Sequence, residues 1–173
     1  MSRFRKSYYK VLERVTNLIE LLISCHPQGF MVLLGDVTPP DANMIHAMIN
    51  AQRVPMPEDF RVTSRSNETE AERIVYDREY FDESVEMAGG WGHINTVARE
   101  SKNADPRTWD IVAAHSKFVK KSLSRYGSKL EHVAWLYKVS PNTVMKYRRE
   151  FPTKLAEMIL LPPSNGEFYL LPC

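Results

Sequence analysis

Cysteine is nearly missing from this chain of 173 residues, and what little there is rules out two architectures. Cys25 and Cys173 allow at most one bridge, and neither belongs to a Cys-x-x-Cys pair, so a disulfide framework and a structural zinc ribbon are both excluded. Long apolar runs are missing too. The best candidate, Leu18 to Cys25, is interrupted by Glu20 and stops at His26 and Pro27, far short of the roughly 20 apolar residues of a membrane-spanning helix. The basic start, Met1 to Lys6, leads into an amphipathic pattern with Lys10, Glu13 and Arg14; no secretory signal is read there, and a cytoplasmic protein is expected.

Catalytic and cofactor signatures are equally scarce. His26, His46, His93, His115 and His132 share no metal-ligand spacing with one another or with a cysteine. Gly89-Gly90-Trp91-Gly92 is followed by no Gly-Lys-Ser/Thr and preceded by no clear strand, so it is not a phosphate loop. No Gly-x-Ser-x-Gly turn occurs. The acids between Glu68 and Glu86 are interleaved with Arg73 and Arg78, the pattern of a salt-bridged surface rather than a magnesium cluster. The expectation is a protein that is not an enzyme and holds no metal or cofactor.

Charge becomes informative once it is divided. The formal net charge is +2, yet residues 1–60 are neutral, residues 61–105 carry −4 and residues 106–173 carry +6. A basic last third suits a polyanion or an acidic partner.

The apolar pattern is mainly helical. Phe4, Tyr8, Val11, Val15, Leu18 and Leu22 recur at three- or four-residue spacing and make one stripe. After Pro27 and Gly29, the run Phe30 to Val37 reads as a short buried strand or a buried loop. Thr38-Pro39-Pro40-Asp41 resembles a helix start capped by Thr38, leading into a helix with Met44, Ile45, Met48 and Ile49 and closed by Pro55 and Pro57. An acidic helix is read over 72–86, a glycine loop over 89–93, and a short helix over 94–101. Asn103 to Pro106 is the expected boundary, separating an N-terminal dimerisation or regulatory region, 1–105, from a second unit, 106–173.

In that second unit, Trp109, Val112, Ala113, Val119 and Leu123 mark a helix whose other side bears Lys117, Lys120, Lys121 and Arg125 and which stops at Gly127. Leu130 to Arg149 then has the length of two helices crossing over a tight turn. Such a pair needs apolar groups at the fourth, eighth, tenth, fifteenth and eighteenth positions and a small residue at the fifth. Val133, Tyr137, Val139, Val144, Tyr147 and Ala134 meet those demands. These twenty residues resemble the helix-turn-helix DNA-binding family of prokaryotic and phage regulators. One departure is Lys138 at the ninth position, where the family usually has glycine and where a left-handed backbone costs another residue about 1 kcal/mol. Trp135, at helical spacing from this set, is expected in the core.

The resemblance implies a tri-helical domain whose second motif helix, 140–150, reads the major groove of double-stranded DNA. Base contacts are expected from Ser140, Asn142, Thr143, Lys146 and Arg149, with Pro141 and Met145 near thymine methyl groups. Phosphate contacts are expected from Arg148, Lys138, Lys129, Lys117, Lys120 and Lys121. A homodimeric transcription regulator follows, since one helix offers few base contacts and a two-fold pair doubles them; the transcription machinery would be its protein partner. The helix 44–49 and the first stripe are candidate interfaces, although an intramolecular core is the more common fate of such stripes. The same motif equips a phage or plasmid factor for packaging, replication or partition, and the basic helix alone would suit a protein-interaction adaptor. Downstream, Pro152 and Thr153 are read as starting a further helix, and Asn165-Gly166 as the turn of a terminal hairpin or wing, with a clamp packed back on the core or on a partner subunit as the alternative that Pro162 and Pro163 leave open.

Overall fold

Helix α1, Arg3–Cys25, takes up the first apolar stripe and becomes the axis of the molecule. From Leu18 to Ile23 it is apolar nearly all round, broken only by Glu20, and Leu18, Ile19, Leu21, Leu22 and Ile23 are all buried. A helix with no solvent face must be surrounded. Here α2 (Gly29–Leu34), α3 (Ala42–Gln52), α4 (Glu70–Met87), α6 (Pro106–Lys117) and α8 (Pro141–Leu160) pack against it, while α5 (Trp91–Ala104) closes over α2 and α8 and α7 (Lys129–Tyr137) packs on α6 and α8. The computed structural model describes residues 3–52, 69–117 and 129–161 and, of residues 3–6, 117 and 129, the backbone alone. Its described residues are mainly helical and include no strand.

Several local expectations are corrected. The run after Gly29 is helix α2 rather than a strand or loop. A strand there would have had no partner for its amides, whereas a short helix satisfies its own and passes its last carbonyls to α5. Asn95 Nδ2 donates to the carbonyls of Val32 and Leu33, Arg99 Nε donates to that of Leu34, and Gly35 closes the helix with φ of 80°. Thr38 does not cap α3. A proline forces the residue before it out of the helical region, so Pro39 and Pro40 keep 38 and 39 extended. Asp41 begins the helix instead, its Oδ1 accepting from the Met44 amide at 2.8 Å. The acidic helix starts earlier than 72, at a reciprocal capping box between Thr69 and Glu72. Gly89 and Gly90, both with positive φ, turn the chain into α5, which begins at Trp91 rather than at Ile94.

The largest correction lies at Pro152, which starts no new helix. Helix α8 runs through it, from Pro141 to Leu160, with Pro152 buried inside. Its two halves serve two apolar clusters. Phe151, Leu155, Ala156 and Ile159 join the large cluster around α1, which also holds Trp109 and Val112 and so draws on residues from both sides of position 105. Val144 joins Ile111, Val133 and Ala134 in a smaller cluster flanked by Leu130, Tyr137, Val139 and Tyr147. Ile45 and Met48 of α3 and Val15, Leu18 and Leu22 of α1 lie in the large core, so these parts of the two stripes offered as interfaces are internal, while Tyr8 and Met44 are exposed. The 165–166 hairpin and the segment 118–128, with Val119, Leu123, Arg125 and Gly127, lie outside the described residues.

Candidate nucleic-acid interface

All six pattern residues of 130–149 gather at one place. Val133, Ala134 and Val144 are fully packed, and Tyr137, Val139 and Tyr147 lie against them. Ala134 is 3% exposed within this cluster, where a larger side chain would have to displace its neighbours.

The turn between α7 and α8 is closed by two backbone bonds. Val139 donates to the Ala134 carbonyl at 3.0 Å and Lys138 to the Trp135 carbonyl at 3.3 Å, the paired closure of a helix whose next residue is left-handed. That residue is Lys138, with φ of 55°, alone among non-glycine residues described in having a positive φ. The strain expected at the ninth position is therefore present, at about 1 kcal/mol, and the surrounding packing offsets it. Arg107 adds a clamp from α6, its Nη2 donating to the Tyr137 carbonyl at 2.9 Å. Ser140 Oγ accepts from the Thr143 amide at 3.2 Å, and Pro141 follows where its missing amide hydrogen is not needed.

The exposed side of α8 is a stripe at helical spacing: Asn142, Lys146 and Arg149, with Met145 beside them. Ser140 and Thr143 sit at its start, their hydroxyls 2.8 Å apart, so both are partly spent on the helix cap. Lys138 is exposed on the turn. Lys120 and Lys121 lie outside the described residues; Lys117 ends α6 and Lys129 begins α7, their side chains also outside them. On this surface, Glu150 pairs with Lys154 at 3.0 Å, and that hydrogen bond holds its carboxyl below the usual range. Trp135 is corrected: it is 76% exposed, because Val133, Ala134 and Tyr137 fill the inner face of a nine-residue helix and leave Trp135 and Leu136 outside.

Arg148 is on the opposite side of α8 from the stripe. Its Nη1 and Nη2 donate to the two carboxylate oxygens of Glu20 at 2.8 and 2.9 Å, and Nη2 also reaches Ser24 Oγ at 2.8 Å. The helix-turn-helix resemblance gives Arg148 as a phosphate contact; here it is joined to α1, 17% exposed, across 128 residues of sequence. Glu20 and Ser24 escaped the sequence reading, although a single acid within the apolar run 18–25 was the available signal. Burial pushes the Glu20 carboxyl up, but the bonds from Arg148 and Ser24 and the Arg148 charge outweigh it and hold it below its ordinary 4.5. A depressed folded value means stabilisation that is complete above the ordinary value and is lost as pH falls through the folded one. The melting-temperature difference between wild type and Glu20→Gln should thus stay constant from neutral pH down to about 4.5 and shrink below it; thermal melts at stepped pH measure this.

Other polar groups are structural in their surroundings. His46 Nδ1 pairs with buried Asp77 at 2.8 Å, while Asn50 bonds its other nitrogen, tying α3 to α4. Burial, then the Glu20 charge, pushes the Cys25 thiol up, away from the thiolate a nucleophile needs. Among the described residues no three of His, Cys, Asp or Glu converge as metal ligands, and no helix is long and apolar enough to cross a membrane.

No protein-family model, curated protein or solved structure matches this chain.

Proposed function

We propose that the chain is a sequence-specific double-stranded DNA-binding protein, a regulator in which α7, the turn 138–140 and the first half of α8 act as a helix-turn-helix backed by α6. The observation that carries the reading is the left-handed Lys138 between two helices packed through the six pattern residues, with Asn142, Lys146 and Arg149 left as a solvent-facing polar stripe. In the major groove, Asn142 has the amide for adenine and Arg149 the paired donors for guanine. Lys138, at the turn, is a phosphate contact, and Lys117, Lys120, Lys121 and Lys129 belong to the same proposed set. Arg148 leaves it, since a guanidinium held at both nitrogens by a carboxylate has little left for phosphate. Residues 1–105 form the regulatory region, and two copies read two half-sites.

Selection of duplexes from a random pool, followed by binding titrations over a range of salt, tests this. Arg149→Ala and Asn142→Ala should each weaken binding to the selected sequence by about 10- to 100-fold while leaving scrambled duplex little changed. Lys138→Ala should weaken both duplexes alike and lower the salt slope by about one. The reading falls if the wild type binds no duplex at low salt, or if neither α8 variant alters sequence preference.

A further inference from the structure

Helix α8 has a gap in its backbone ladder where its two halves meet. Pro152 has no amide hydrogen for the carbonyl four residues before it, and that carbonyl belongs to Arg148. Proline within a helix is a usual place for bending, so the direction of the first half relative to the second is not fixed by backbone bonds alone. The side chain of this same residue grips α1 through two parallel bonds to Glu20 and a third to Ser24. Planar, bidentate pairing fixes orientation as well as distance. Glu20 and Ser24 are one turn apart on α1, bonded to each other at 2.7 Å, so the receiving surface is itself organised.

We infer that Arg148 is a positioning residue: its clasp on Glu20 and Ser24 sets the rotation and tilt of residues 141–149, and so the presentation of Asn142, Lys146 and Arg149. This deepens the proposed function and rests on it for the DNA half of its consequences. The small apolar cluster holds the inner face of the first half of α8 against α6 and α7, and the large cluster holds its second half. Between the two, the clasp is the polar link from the reading half of α8 to α1. A phosphate contact at Arg148 would add affinity on any sequence. The clasp instead adds preference among sequences, because a misdirected helix loses base contacts before it loses phosphate contacts.

The test uses full-length protein carrying Glu20→Gln, which keeps the shape and removes the charge, and Arg148→Lys, which keeps the charge and removes the paired geometry. Amide hydrogen exchange and binding to selected and scrambled duplexes are both read. Expected for each variant is exchange at least about 10-fold faster at residues 144–149 with α3, α4 and α5 unchanged. The ratio of affinities for selected over scrambled duplex should fall about 10-fold, with scrambled-duplex binding and its salt slope retained. Faster exchange throughout the molecule, or no change at 144–149, would overturn the positioning role, as would equal loss on both duplexes. Should the wild type prefer no sequence, the proposed function fails separately, and exchange at 144–149 alone decides for or against the clasp. If Glu20→Gln does not fold, Arg148→Lys carries the same two readouts.

Discussion

Gly29→Ala should destabilise the protein by about 3 kcal/mol or more, lowering its melting temperature by roughly 6–12 °C. The reason is a close approach of backbone to backbone. A Cβ built on Gly29 would overlap the carbonyl of Leu22 and would stand 3.1 Å from the Ile23 amide nitrogen. Neither is a flexible side-chain end that could swing away. That carbonyl already accepts from the His26 amide at 3.1 Å, which fixes it in the reversal from α1 to α2. Relief would have to come from moving α2 off α1, and with it buried Phe30, Val32, Leu33 and Leu34. Gly92→Ala is the control: nothing lies within 4 Å of its Cβ, and alanine in a helix is neutral to mildly stabilising. Urea or thermal unfolding followed by circular dichroism separates the two.

Phe151→Ala should cost about 3–5 kcal/mol, the range for truncating a fully packed phenylalanine. Its ring, on a residue 5% exposed, meets Trp109 edge-on at 4.9 Å and Phe30 at 5.8 Å, and those two lie 6.1 Å apart. The three rings come from α2, α6 and α8, so removing the central one opens a cavity where three elements converge. Surrounding side chains cannot collapse into it without moving a helix. Phe151→Leu keeps most of the volume and should lose less than about 1.5 kcal/mol plus the edge-on ring contact. The same unfolding measurements decide the matter, and a loss under about 1 kcal/mol for the alanine variant would mean that the site closes up freely.

Legibility in sequence followed the strength of the apolar period. The α1 stripe is readable because it repeats at three or four residues over a long segment, and Val11, Val15, Leu18 and Leu22 pack accordingly; the six positions of 130–149 are readable instead from their fixed places in a pair of helices joined by a turn. Arg148, expected as a phosphate contact, is instead paired within the molecule, and the apolar period shows why. Val144, Arg148, Phe151 and Leu155 stand four, three and four residues apart, so the helix itself turns Arg148 inward, where an acid was waiting in α1. Trp135 departs from its expectation in the opposite direction: its spacing from Val144 and Tyr147 points to the core, but the turn between α7 and α8 breaks that period and leaves it exposed. The strand or loop expected after Gly29 cannot be separated from a helix by the run Phe30 to Leu34, since five consecutive apolar residues have no period. Proline favours first turns, so Pro152 reads as a start signal; the surrounding apolar spacing, 151, 155 and 159, marks a helix already under way. The Glu20 clasp depends on two residues brought together only by tertiary packing, and no local pattern encodes that partnership.

The continuous α8 also determines how the molecule can come apart. A helix of 20 residues, roughly 30 Å long, belongs at one end to the small cluster and at the other to the large one. A fragment starting at residue 106 would carry the exposed stripe of Asn142, Lys146 and Arg149 but expose Trp109, Val112, Phe151, Leu155 and Ile159 to water. A fragment ending at 105 would leave the face of α1 that α8 covers bare. Neither piece inherits a finished interior, so the seam in charge at 105 is not a seam in cohesion. Heat or denaturant should therefore meet a single melting unit in which loss of α1 packing and loss of the exposed α8 stripe arrive together.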